Sequence, residues 1–427
     1  MMGKDAHAVK VRADRCTGCT RCMQSCPTEA IRVKEGLAII NASRCIDCSQ
    51  CIESCPFDAH SIDSGSLEDI KNFKYTIVIP AITFAAQFSG GLKIDVLCSA
   101  LRKLGFDLVF SEGLAIDYLK DRVREIVVNN QVKKPIISSH CPAVIRLIQT
   151  KYSSLIDHIM PTGSPVDIAA NMARNLIKEK HGYSDSDIGV FYLSPCPARI
   201  TNVVNPIGMQ ESAINLTIPI KDVYGDVLRI LSGMKESVSE FSNCMKPENL
   251  PWAEVGGQAK MSGVDNYIAV SGIHEVPKVR DQIEMGELDD VDFIEASSCT
   301  GGCVGGPLNI ENPFVAQRNI RKLAENSSQG YFQMIDSVLA QFKHIYLTEE
   351  ISPKQTNILD EDFTKAIEKM KQIEEITSRL RGLDCGSCGA PSCRALAEDI
   401  VQGKARMEDC VFYQEQQHLW RLEDESE

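Results

Sequence analysis

The sequence predicts an α/β protein with a cysteine-bearing module at each end, and three observations lead there. From Lys74 onward, apolar runs of strand length alternate with amphipathic helical stretches. The first 56 residues repeat one cysteine spacing twice, and a different four-cysteine pattern comes near the end of the chain. With 427 residues there is enough chain for two or more domains of ~100 to 200 residues each.

Composition excludes several classes. A net charge of -13 argues against nucleic acid as a partner, because backbone phosphates call for a basic surface. The longest apolar stretch, Tyr75 to Phe88, is interrupted by Pro80 and falls short of the ~20 residues of a membrane helix, so no membrane insertion is expected. The start, "MMGKDAHAVKVRADR", has no apolar core or small-residue cleavage site, and a cytoplasmic protein is the expectation. The acidic "EDESE" reads as a solvated tail. Eighteen cysteines in a long chain without a secretory signal point to metal sites rather than a disulfide framework.

The first cysteine run is "CTGCTRCMQSCP", with Cys16, Cys19, Cys22 and Cys26; the second is "CIDCSQCIESCP", with Cys45, Cys48, Cys51 and Cys55. Both read C-x2-C-x2-C-x3-C-P. This resembles the bacterial two-cluster ferredoxins, in which each run gives three thiolates to one [4Fe-4S] cluster and its fourth to the other. The resemblance implies one cluster on Cys16, Cys19, Cys22 and Cys55 and a second on Cys45, Cys48, Cys51 and Cys26. Short strands are expected in "AVKVRAD", "AIRVKEG" and "LAIINAS". Paired zinc sites are the alternative, but zinc ribbons separate two C-x2-C knuckles by a long stretch, and here three cysteines fall within seven residues.

In the central region strands are expected at "YTIVIPA", "DLVFSE", "KPIISS", "DIGVFYLS", "NYIAVSG" and "VDFIEAS", with helices at "DYLKDRVREIV" and "PVDIAANMARNLIKEKHG". Nearly continuous apolar strands suggest parallel or mixed sheets covered on both faces. Three strands run straight into cysteine turns: "IISSHCP", "FYLSPCPARI" and "FIEASSCTGGCVGGP". Ligands in such folds gather at the carboxyl ends of strands, so Cys141, Cys196, Cys299 and Cys303 are expected to converge. A Cys-His nucleophile at His140 and Cys141 is disfavoured because adjacent residues on an extended segment point apart.

The ordered set of a C-P turn, S-P-C-P-A-R and E-x3-C-x3-C-x-G-G resembles the three signature segments of the iron-only (Fe-Fe) hydrogenases. "ALRKLGFDLVFSE" and "GSPVDIAANMARNLIKEK" extend the likeness across roughly residues 1 to 350. The resemblance implies a hydrogenase-like catalytic domain of two lobes with twisted sheets flanked by helices, after an α+β ferredoxin-like domain and before a small helical iron-sulfur domain. It also implies an H-cluster. Cys141, Cys196, Cys299 and Cys303 would hold a [4Fe-4S] cubane, and Cys303 would bridge to a two-iron subcluster carrying CO, cyanide and a dithiolate.

The chain departs from that family at several places. His140 stands where the family has a proton-carrying cysteine, and Val144 where it has a tryptophan. Ser194 and Ser297 replace methionines, which is expected to make the pocket more polar; Arg199 replaces the lysine that contacts a cyanide, and Asn202 replaces a proton-pathway glutamate. No equivalent of the other proton-path glutamate is evident around Asp117 and Asp121. His140 could relay protons, its ordinary pKa being ~6.5, or could merely pack. The combination resembles the divergent hydrogenases assigned a sensory role, which implies slow reversible H2 oxidation and proton reduction and a redox or signalling protein partner. Maturation proteins would install the two-iron part. The alternative is a non-catalytic electron carrier or cluster-assembly protein with only a cubane.

At the end, "CGSCGAPSCRALAEDIVQGKARMEDC" places Cys385, Cys388, Cys393 and Cys410 in C-x2-C-x4-C-x16-C. It resembles the iron-sulfur motif of the Rnf complex B subunit and of the corrinoid iron-sulfur protein, which implies a further [4Fe-4S] cluster; a structural zinc is the alternative. The expected organisation is 1–66 ferredoxin-like, 74–347 hydrogenase-like, 348–378 linker and helix, and 379–427 C-terminal cluster domain. Cys98 is expected to be a buried thiol, and Cys244 has no expected partner.

Overall fold

A computed structural model describes residues 7–88, 92–234, 245–325, 346–356 and 358–413. The chain divides into two compact units. The smaller gathers Val9–Cys45, Gln50–Ser61 and Lys354–Glu427, and the larger gathers Met1–Ala8, Ile46–Ser49 and Ile62–Pro353. The C-terminal cysteine segment thus folds together with the N-terminal cysteine repeat, a union that their separation in sequence conceals.

In the smaller unit, strand β1 (Val9–Val11) precedes an antiparallel hairpin of β2 (Ile31–Lys34) and β3 (Leu37–Ile40), with Ile31 opposite Ile40 and Lys34 opposite Leu37. β4 (His60–Ile62) pairs with β1. Two four-residue helices, Arg21–Gln24 and Gln50–Glu53, carry the third cysteine of each run. The C-terminal part adds helix Phe363–Arg379, capped by the Asp362 side chain on the Thr364 and Lys365 N–H groups, and helix Cys393–Val401, capped by Ser392 on Ala395. Each cap satisfies amide donors that a helix start leaves open. Two mostly buried ion pairs, Arg32 with Asp399 at 2.7 Å and Arg44 with Glu398 at 2.8 Å, fasten this part to the hairpin region.

The larger unit holds two parallel sheets flanked by helices. β5 (Tyr75–Pro80), β6 (Leu108–Val109), β8 (Ile188–Ser194) and β9 (Leu216–Pro219) form one, in the order β6-β5-β8-β9. The other runs β10-β11-β7, from β7 (Ile136–Ile137), β10 (Tyr267–Ser271) and β11 (Phe293–Ser297). Every residue of β8 is buried, which is why its sequence reads as an unbroken apolar run. β9 is absent from the sequence expectation because "LTIPI" is short and runs directly into helix Ile220–Gly233. Among the described residues no helix is long and apolar enough to cross a membrane. Cys98 is buried, as expected, but it is disulfide-bonded rather than a free thiol, and Cys244 lies outside the described residues.

Within the second sheet Glu295 is buried and accepts N–H bonds from Gly256 at 3.0 Å and Ala259 at 3.2 Å. Burial pushes its carboxyl from 4.5 to about 7, with the amide donors partly countering. The folded chain therefore keeps a proton that the unfolded chain releases, so this group's contribution is fully present below about pH 4.5 and is lost as pH rises through about 7. Thermal unfolding followed from about pH 5.5 to 7.5 should show a shallower loss of stability in Glu295→Gln than in the parent; identical slopes would contradict the assignment.

Candidate metal centre

Three strand ends build the central site. β7 leads through Ser138 and His140 to Cys141, which starts helix Pro142–Lys151. β8 ends at Ser194, and Cys196 starts helix Pro197–Val204. In both, the cysteine is the N-cap and proline occupies the first helical turn, where its missing N–H costs nothing. Amide dipoles at these starts favour negative charge on sulfur. β11 feeds Cys299 and Cys303, and this third loop lies against the second: Leu308 N–H donates to Pro195 O at 3.0 Å. A Cβ on Gly306 would sit 2.4 Å from that same oxygen, so the approach requires glycine.

Cys141, Cys196, Cys299 and Cys303 line one cavity of about 620 Å³. Burial pushes the Cys196 thiol up to about 11, neighbouring Cys141 adds to this, and Arg199 partly counters. Cys303 is also raised well above its ordinary value, again by burial first and then by Cys196 and Cys141. Cys196 and Cys303, raised in this way, belong to a soft donor set suited to a metal, because metal coordination is what stabilises thiolates away from water.

His140 and Arg199 line the same cavity. The His140 Nε2 atom is 3.4 Å from Cys303 Sγ, its Nδ1 is buried without a partner, and its ring meets the edge of Trp252. Burial, with Arg199 nearby, lowers its pKa to about 3, below the ordinary imidazole value. Arg199 donates through Nη2 to His140 O at 2.7 Å and through Nη1 to Ser164 Oγ at 2.7 Å and Asp167 Oδ2 at 3.3 Å. Ser297 reaches the cavity, whereas the Ser194 hydroxyl donates to Cys196 O at 2.9 Å and shapes the turn instead. Val144 and Asn202 are buried, Asn202 accepting from Ile207 N.

Sequence reasoning missed Glu112. It sought a carboxylate near Asp117 and Asp121, but Asp117 is held in ion pairs by Lys120 and Lys246. Glu112, one turn earlier in helix Glu112–Val128, is buried, lines the cavity and accepts from Ile82 N at 3.1 Å. Burial lifts its carboxyl to about 7, with Arg199 and the Ile82 amide opposing. The signal was available: Ser111 caps the helix directly after β6, and that strand-to-helix junction is where α/β sheets place ligand-facing groups. Asp167 and Ser164, which hold Arg199, and Trp252 beside His140 were also missed.

The other cysteine sets are smaller. Cys16, Cys19, Cys22 and Cys55 line a cavity of about 310 Å³, the grouping implied by the crossed ferredoxin pattern, and burial followed by Cys16, Cys19 and Cys55 pushes Cys22 to about 11. Ala38 N–H points to Cys16 Sγ at 3.4 Å, Ala30 to Cys26 at 3.3 Å and Ala59 to Cys55 at 3.3 Å. Cys26, Cys45 and Cys51 belong to the smaller unit, while Cys48 belongs to the larger and lines its central cavity. Cys385, Cys388, Cys393 and Cys410 line a cavity of about 370 Å³.

Three protein-family profiles match the chain. One is described as "Iron only hydrogenase large subunit, C-terminal domain" over residues 74–225 and 226–307, one as "4Fe-4S dicluster domain" over 8–56, and one, named FeS, over 380–412. The periplasmic [Fe] hydrogenase large subunit of Nitratidesulfovibrio vulgaris is 26% identical, covering 70% of this chain and 86% of that one. A protein of Drosophila mojavensis described as a "Probable cytosolic Fe-S cluster assembly factor" is 21% identical over 69% of this chain and 73% of its own. A solved structure of a Chlamydomonas reinhardtii [FeFe]-hydrogenase variant superposes with a TM-score of 0.51 at 16% identity, covering 67% of this chain and 98% of that one, a likeness of fold.

The buried Arg199–Asp167 pair yields a direct prediction. Asp167→Ala strands a guanidinium that is 6% exposed and should destabilise the protein by roughly 3 to 5 kcal/mol in denaturant unfolding. A loss below about 1 kcal/mol would show that the pair does not hold Arg199 in place.

Proposed function

Because the chain belongs to the iron-only hydrogenase large subunit family, we propose that its central cavity holds an H-cluster and slowly interconverts H2 with protons and electrons. A [4Fe-4S] cubane would bind Cys141, Cys196, Cys299 and Cys303, with a two-iron subcluster carried on Cys303. The observation that carries this reading is the size of the cavity. The two other four-cysteine cavities measure about 310 and 370 Å³, the central one about 620 Å³. Beyond those four cysteines the lining includes Glu112, His140 and Arg199, with Cys48 as one further thiol.

When bound, the two-iron group supplies the centre at which the H–H bond is made and broken. The chain's own residues supply the surroundings. Arg199, with Nη1 and Nη2 engaged by Ser164, Asp167 and His140 O, presents a fixed positive charge for an anionic ligand. His140, neutral at Nε2 beside Cys303, tunes the sulfur by hydrogen bonding and leaves proton carriage to Glu112. The Ile82 amide occupies Glu112 Oε2, so the transferable proton sits on Oε1, and a pKa of about 7 suits exchange at neutral pH.

Slow turnover, with cysteine sets for accessory clusters, fits a protein that reports hydrogen to a redox or signalling partner. Likeness to assembly factors supports a second reading, a non-catalytic protein with a cubane alone. Protein produced with hydrogenase maturation proteins should exchange D2 with water protons, measured by mass spectrometry. Cys303→Ala should abolish exchange and Glu112→Gln should slow it by about 10²- to 10⁴-fold. Absence of exchange from fully iron-loaded, matured protein would favour the second reading.

A further inference from the structure

The loop that carries Cys388 packs against a strand that lines the cavity of the first ferredoxin-like set. Val33 lines the cavity of Cys16, Cys19, Cys22 and Cys55. Its backbone N–H donates to Gly389 O at 2.9 Å, and Gly389 follows Cys388. A Cβ on Gly389 would lie 1.9 Å from Val33 O, so only glycine permits this approach. A second contact lies nearby: a Cβ on Gly386, beside Cys385, would meet the Met23 side chain at 2.9 Å, and Met23 follows Cys22. The Arg32–Asp399 and Arg44–Glu398 pairs clamp the same two segments. A purely structural metal knuckle has no need to lie against a second cysteine cavity.

We propose that Cys385, Cys388, Cys393 and Cys410 hold a redox-active [4Fe-4S] cluster that exchanges electrons directly with the cluster of Cys16, Cys19, Cys22 and Cys55. The inference rests on the iron-sulfur part of the proposed function and not on the two-iron centre. In each transfer one cluster is oxidised by the single electron that reduces the other, and no bond or proton changes. A one-electron carrier protein or chemical reductant supplies the electron from outside. Cys385 is exposed, which leaves this set open to an outside electron donor.

The test uses the full chain, iron-loaded and reduced with dithionite, read by iron and zinc analysis and by electron paramagnetic resonance. Two reduced clusters this close broaden each other's signals. Cys388→Ala/Cys393→Ala should remove four iron atoms and no zinc, and should sharpen the signal of the first cluster. Gly389→Leu keeps every ligand but pushes the loop off Val33; it should retain the iron and weaken the broadening. Loss of one zinc instead of iron, or an unchanged line shape after the C-terminal iron is lost, would overturn the proposal. Since neither readout involves hydrogen, both results stand apart from success or failure of the D2 exchange.

Discussion

The central site depends on one constraint: four thiols placed together away from water. Burial raises the pKa of both Cys196 and Cys303, Cys141 adds to each and Cys196 to Cys303, and Arg199 supplies a compensating charge. Such an arrangement is tolerable when a metal centre takes up the thiolates. The fold delivers it by ending β7, β8 and β11 near one another, with helix starts at Cys141 and Cys196 turning amide dipoles toward the sulfurs.

Around those thiols, the chain's departures from its family are linked rather than scattered. Asp167 pairs with the buried Arg199, and the same guanidinium also donates to the carbonyl of His140. Replacing a lysine by arginine, and a cysteine by histidine, therefore changes one connected group of side chains. That group keeps the imidazole uncharged and leaves Glu112 as the cavity's carboxylate with a pKa near neutrality.

The cysteine sets were legible because metal ligation imposes spacing on short segments, and three of them end strands whose apolar character identifies them. β5 and β8 were legible for the same reason: burial on both faces leaves no polar positions to blur the pattern. β9 was hidden by its fusion to a helix. Glu112, the Asp167–Arg199 pair and the seating of Gly389 on Val33 were not legible, because each depends on packing between segments far apart in the chain. Ser194 shows the converse. Its identity was noticed, but its hydroxyl is spent on the Cys196 turn rather than on the cavity.

The central claim, that the large cavity holds more than a cubane, is tested most directly by infrared spectroscopy under strict anoxia on protein made with the maturation proteins. The account predicts CO and cyanide bands that shift when hydrogen is admitted. Iron-loaded protein without such bands would contradict it and leave a cubane-only relative of the assembly factors.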